Sequence, residues 1–179
     1  MPNRWKPNVT VSAVIERDQR FLLVEEITAD GLRLNTPAGH LDPAETPQQA
    51  CEREVLEETA YSFTPSALVG IYMNRFLRTR TGSDITYMRF AYTGDLGMHH
   101  AHRMLDDGIV RTLWLTLDEL KATAHLHRSP IVLQSVQDYL AGQRFDLGLI
   151  QADSSIYTVP EPTLSTQDLL TTLQNAPAP

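Results

Sequence analysis

Residues 39–61 read GHLDPAETPQQACEREVLEETAY and carry five Glu and one Asp against a single Arg. Thr46 has the form of a helix N-cap, Pro47 suits the first helical position, and Gln49 stands where a capping-box partner belongs. The pattern predicts a helix over 47–59. At about 100° per residue, Glu54, Glu57 and Glu58 share an arc of about 100°, while Cys51 and Val55 occupy a flank suited to a core. Glu54 and Glu58, four residues apart, repel each other, and the cost grows as solvent is excluded. Arg53 can pair with Glu57 at the same spacing, but a lone guanidinium does not neutralise the cluster. A divalent cation does. Oxygen-only ligands with no His or Cys among them favour hard Mg²⁺, or Mn²⁺, over zinc. Composition alone allows the plainer alternative of an acidic, solvated helix face.

Outward from this helix, VTVSAVIE and RFLLVEEI are apolar, β-branched runs around RDQ, which predicts a hairpin of strands near 9–16 and 20–26. LRLNTP predicts a short strand. ALVGIYMNRFL and ITYMRFAYTGDL flank the polar RTRTGSD as a second antiparallel pair, and VRTLWLT adds another strand. Helical periodicity recurs in LDELKATA and in SPIVLQSVQDYLAG, where Ser129 is expected to cap, Pro130 to open the first turn and Gly142 to stop the helix. Strands interleaved with three helices imply an α/β fold, a mixed sheet covered by helices.

The 179 residues suit one globular domain over 1–150 and a Pro/Ser/Thr-rich extension over 151–179, which holds four of the eleven prolines. Within the extension, Leu169, Leu170 and Leu173 lie at helical spacing behind Ser165, the pattern of a short docking helix, although composition favours a mobile tail. Net charge is −7 and the basic residues are scattered, which argues against binding long nucleic acids. No run is long enough to span a bilayer, and the first residues lack an export pattern, so a cytoplasmic protein is expected. The single Cys51 cannot form an internal disulfide and reads as a small core residue.

The order Gly39, five residues, Glu45, seven residues, then Arg53-Glu54-Val55-Leu56-Glu57-Glu58 resembles the Nudix box. NTPAGHLD ahead of the helix and RSPIVLQSVQDYLAGQRFDL near residue 140 resemble a bacterial phosphatase group within that family. The resemblance implies a Nudix-type α/β/α sandwich with a mixed central sheet. It also implies a Mg²⁺-dependent phosphohydrolase acting on nucleoside tri- or diphosphates or on the thiamine-precursor pyrimidine diphosphate. The Gly39 carbonyl and the carboxylates of Glu54, Glu57 and Glu58 would bind the metal, Arg53 would orient Glu57, and Glu45 would fix the loop. A small phosphorylated substrate and a homodimer are the partners expected. Rival readings are a pyrophosphatase of ADP-ribose or dinucleotide type, and a Nudix domain that senses a nucleotide without cleaving it. Ala60 departs from the family pattern, which places a left-handed Gly after the helix.

Other positions offer lesser candidates. Arg89 alternates with Tyr87 and Ala91 on one strand face, where it could reach a substrate phosphate bidentately. His40 adjoins the Gly39 carbonyl and could touch phosphate. Asp106 and Asp107 could add an acid to the site, or simply form a turn ending at Gly108. His99, His100 and His102 could suggest a soft metal site but have no Cys partner. Trp114 reads as packing.

Overall fold

Residues 4–78 and 82–158 are described by a computed structural model; the expected helix around Leu169, Leu170 and Leu173 lies outside them. Strand β1 (Asn8–Ala13) is followed by a short β2 (Glu16–Arg17) that turns into β3 (Arg20–Thr28). Asp18 and Gln19 both have positive φ, 51° and 59°, the two-residue hairpin geometry whose twist matches its flanking strands. The expected strand over 9–16 is therefore two strands, and the pieces belong to different sheets. Next come β4 (Gly31–Asn35), β5 (Ala38–His40) and helix α1 (Pro47–Thr59), then the long strands β6 (Tyr61–Arg78) and β7 (Ser83–His99). Strand β8 (Ile109–Thr116) and helices α2 (Leu117–Ala122) and α3 (Ile131–Leu140) complete the main elements.

One sheet has the order β5-β1-β7-β6 and is mixed, because β1 runs parallel to β7 while its other pairs are antiparallel. The second sheet is antiparallel, with β2, β4 and β8 all pairing with β3. Alternation along β3 creates two apolar layers. Leu22 packs with Cys51 and Val55 of α1, whereas Phe21 and Leu23 pack with Leu120 of α2 and with Val132 and Val136 of α3. Helices thus cover opposite faces, giving the expected α/β/α arrangement. Leu22, Leu23, Cys51 and Val55 are fully buried, and each large aliphatic side chain among them contributes roughly 1.5–3 kcal/mol by leaving water. Trp114 packs on the α1 side of the core, with the Arg17 guanidinium 5.1 Å above its ring.

Helix α1 begins as its sequence requires. Thr46 Oγ1 accepts from the Gln49 amide at 3.2 Å, and Gln49 Oε1 accepts from the Thr46 amide at 2.9 Å. At the other end Ala60 adopts the left-handed conformation, φ 57° and ψ 18°, that Gly supplies in the family the sequence resembles. A β-carbon there costs about 1 kcal/mol. The cost is offset by burial of Ala60 and by two backbone bonds, Ala60 N–H to Leu56 at 3.0 Å and His100 N–H to Ala60 at 2.8 Å.

Ser129 does not cap α3. Pro130 already has helical angles and precedes the first helical residue, and the Ser129 hydroxyl is buried without a partner. Gly142, with φ 83°, follows the helix as expected. Beyond it, Phe145 pairs with Leu68, and the chain returns to the start of α1, where Tyr157 Oη donates to Gln49 Oε1 at 3.0 Å. Among the described residues no helix is long and apolar enough to cross a membrane.

Candidate active site

Arg53 organises the acidic face of α1. Its Nε and Nη2 donate to Glu45 Oε2 and Oε1 at 3.0 and 2.7 Å, and Nη2 also reaches the His40 carbonyl at 3.0 Å. Nη1 donates to Glu54 Oε1 at 2.7 Å and to Glu57 Oε2 at 3.0 Å. Glu45 accepts in addition from the Asp42 amide at 2.8 Å, so the loop before the helix is tied to the helix through one guanidinium. Hydrogen bonding from Arg53 holds the Glu45 carboxyl below its usual range.

Glu54 and Glu58 are almost wholly buried, at 8% and 7% exposed, an unusual state for two carboxylates one turn apart. Burial raises the pKa of Glu54 despite Arg53 beside it. Burial, reinforced by the charges of Glu54 and Glu26, pushes Glu58 up to about 8, against the Ala38 amide that donates to its Oε2 at 2.8 Å. Gly39 sits against Glu54. A β-carbon on residue 39 would lie 2.0 Å from the Glu54 carboxylate, so strand β5 and the carboxylate fit only because the residue is glycine.

Beside β5 lies a cavity of about 180 Å³ lined in part by Gly39, His40, Tyr87 and Arg89. Arg89 is buried, its pKa drawn down to about 10 by that burial, and its Nη1 donates to Asn35 Oδ1 at 3.2 Å. The charge of Glu58 is felt at Arg89, so the acidic face and the cavity adjoin. The fold therefore brings Gly39, His40, Arg53, Glu54, Glu57, Glu58 and Arg89 into one region.

Three comparisons bear on these residues. The sequence profile of the NUDIX domain matches residues 6–135. This chain belongs to the Nudix family. It is 35% identical over 147 residues to "Phosphatase NudJ" of Escherichia coli K12, covering 82% of this chain and 92% of that protein. A solved Nudix hydrolase from Nitrosomonas europaea is 48% identical, with a TM-score of 0.76, covering 83% of this chain and 98% of that one. The Nudix domain of Shewanella oneidensis NrtR, solved with ADP ribose, shares the fold at 19% identity and a TM-score of 0.60, covering 79% and 92% of the two chains. The chain is thus a Nudix hydrolase with a phosphatase among its relatives.

The remaining candidates fall into place around this Nudix site. Asp106 comes to the end of α1, its amide donating to the Glu57 carbonyl at 2.9 Å, and its charge helps raise the Glu54 pKa. His99 packs on the Tyr61 ring at 4.5 Å, and the His100 ring hydrogen-bonds Ser62 at 2.8 Å. Among the described residues no group of three His, Cys, Asp or Glu stands ready-made as a metal cluster, since Arg53 and the Ala38 amide engage the carboxylates of α1. The Cys51 thiol is buried, its pKa raised by that burial, and it donates to the Ser12 carbonyl at 3.5 Å, which makes it a core group. Sequence reasoning missed Thr10, Glu26, Asn35, Phe76 and Arg128, which also line the cavity. Glu26 carried a signal: it falls in the same alternation as the buried Leu22 and Val24, where an apolar residue belongs.

Proposed function

We propose that this Nudix hydrolase is a Mg²⁺-dependent phosphohydrolase, with Mn²⁺ as a substitute. Its substrates are nucleoside tri- or diphosphates or related small diphosphates, a thiamine-precursor pyrimidine diphosphate among them. The observation that carries this reading is the buried pair Glu54 and Glu58, the first set against Gly39 and the second on the Ala38 amide. Burying such a pair is costly unless a cation joins it. The donors fit a hard divalent ion: the Gly39 carbonyl and the carboxylates of Glu54, Glu57 and Glu58 are all oxygen, and the raised pKa values of Glu54 and Glu58 mark two carboxylates that lack full compensation. Bound there, the ion supplies neutralisation of phosphate charge and the acidity that turns water into a nucleophile near neutral pH.

The protein's own groups divide the remaining work. Arg53 fixes the orientation of Glu54 and Glu57, and Glu45 fixes Arg53. The base that takes the proton of the attacking water is Glu54, Glu58 or an acid beyond the box such as Asp106. Arg89 and His40 hold the substrate where the cavity meets the acidic face. The likeness to phosphatase NudJ favours attack at the terminal phosphorus. A cytoplasmic location accompanies this reading. Exposed Ile71, Met73 and Leu77 on the edge strand β6 support a homodimer, which light scattering checks.

The reading is tested by ³¹P NMR of products from a panel of nucleoside di- and triphosphates, pyrimidine diphosphate, ADP-ribose and dinucleoside polyphosphates with Mg²⁺. Release of orthophosphate from the first three classes is expected. Cleavage of ADP-ribose or dinucleotides alone, giving two monophosphates, would replace it with the pyrophosphatase reading.

A further inference from the structure

Two guanidiniums, those of Arg89 and Arg128, line the cavity beside β5 with most of their donors unused. Arg89 is 9% exposed and makes one hydrogen bond, from Nη1 to the neutral amide oxygen Asn35 Oδ1 at 3.2 Å. Its Nε and Nη2 make none among the described residues, yet neither is shut away from solvent as the Thr10 and Ser129 hydroxyls are, so both open on the cavity. Glu26 and Glu58 act on Arg89 only through space, and the like charge of Arg128 is near enough to oppose its own. Arg128 is anchored by its amide, which donates to the Leu34 carbonyl at 2.8 Å. Its side chain is 37% exposed and makes no hydrogen bond among the described residues. Glu26 Oε2 stands 3.7 Å from Arg128 Nη1, an ion pair too long for a hydrogen bond.

A cation taken out of water is stable only when something replaces its hydration, so buried guanidiniums are normally paired. Here two face one cavity against a single lining carboxylate among the described residues, Glu26, and that wall carries an excess of positive charge. The acidic face of α1 adjoins it. The two surfaces therefore call for opposite partners side by side, a cation at the carboxylates and an anion at the guanidiniums. A guanidinium fork matches phosphate oxygens bidentately. The Phe76 and Tyr87 rings, stacked at 5.6 Å in the same lining, keep water scarce around the fork and so strengthen the contact. At about 180 Å³ the cavity is smaller than the ~300–1,000 Å³ of pockets that enclose a whole drug-sized ligand, so it takes part of a substrate. We propose that Arg128 is a substrate-binding residue that, with Arg89, clamps the phosphoryl group next to the one held at the acidic face. The phosphate chain fills the cavity and the organic group lies outside it. The inference rests on the phosphohydrolase reading of the same site and deepens it: selection is for the phosphate chain, with little dependence on what that chain carries.

The test pairs binding with turnover. The probe is methylenediphosphonate, two phosphonates with no ring and a P–C–P bridge that water does not cleave. Calorimetry with Mg²⁺ in excess measures its affinity beside that of adenosine, which has a ring and no phosphate. Wild type is expected to bind the diphosphonate at least about tenfold more tightly than adenosine. Arg128→Gln should weaken diphosphonate binding at least about tenfold, and Arg128→Lys should recover part of the loss, since it keeps the charge without the fork. In turnover of nucleoside triphosphates, Arg128→Gln should raise KM by a similar factor and change kcat by less than about threefold. Arg20→Gln, which removes a positive charge paired with Glu119 instead, should leave binding within about twofold. Arg128→Lys, the milder change, carries the test should Arg128→Gln melt markedly lower than wild type. Adenosine binding as tight as diphosphonate binding, or diphosphonate binding that Arg128→Gln leaves within about threefold, would overturn the proposal. Diphosphonate binding that depends on Arg128 in a protein that releases no phosphate would remove the hydrolase reading and leave the clamp supported. Turnover with binding indifferent to Arg128 would do the reverse.

Discussion

Arg53 grips Glu45 through two hydrogen bonds, Nε to Oε2 at 3.0 Å and Nη2 to Oε1 at 2.7 Å. The same guanidinium reaches Glu54, Glu57 and the His40 carbonyl, so the geometry of the acidic face depends on a planar fork. A lysine ammonium is a point charge and cannot reproduce that fork. Arg53→Lys should lower kcat about 10–100-fold and weaken Mg²⁺ activation, while costing only about 1 kcal/mol of stability in this partly solvated setting. Turnover across a Mg²⁺ titration, set beside melting curves, checks both halves.

Gly39 and Glu54 make a second such contact. Gly39→Ala would place a β-carbon 2.0 Å from the Glu54 carboxylate, and the end of that side chain has to swing away because strand β5 cannot. The expected outcome is a large loss of turnover with a small change in melting temperature. A variant that kept turnover would show that the Glu54 carboxylate does not need its place against residue 39.

Burial sets the pH behaviour of the metal-free protein. Glu58 ionises near 4.5 when unfolded and is pushed up to about 8 when folded. Between those values the folded state holds a proton that the unfolded state has released, so this group's contribution to stability falls as pH rises through the window. Glu58→Gln removes that slope. Without metal, the variant should melt no lower than wild type, and higher near pH 8, while its turnover falls by orders of magnitude. Mg²⁺ should raise the melting temperature of wild type much more than that of the variant, since an ion bound by the folded state stabilises it through linkage.

The C-terminal segment offers a separate test. Tyr157 donates to Gln49 Oε1, the acceptor that also completes the α1 capping box. A chain ending at Thr158 should match the full chain in turnover and melting. One ending at Ile150 should keep most turnover and melt slightly lower. If the shorter chain loses turnover, residues 151–158 belong to the working structure.

What the sequence made legible was mostly local. The α1 start, its buried flank at Cys51 and Val55, and its carboxylate face all follow from interactions within four residues, and the structure has each of them. The split between β1 and β2 was not legible, because the apolar run continues through Val14 and Ile15 while the strand changes sheets. Nor was the full length of β6 and β7. Their added pairs involve Tyr61, Thr64 and His99 and pass two of the three register shifts, which break the alternation that a strand is read from. Ser129 misled because its cap competes with a proline that is already helical. Arg89 and His40 were read singly, and only the fold brings them to one cavity, together with a Glu26 whose own signal went unread.

The central claim is that the acidic face of α1 works by holding a divalent ion that activates water against phosphorus. It is tested most directly by following nucleoside triphosphate turnover in ¹⁸O-water, after exhaustive chelation and again after Mg²⁺ is restored. The account predicts no turnover in the chelated protein, recovery with Mg²⁺, and ¹⁸O in the released orthophosphate. Full turnover after chelation would contradict it.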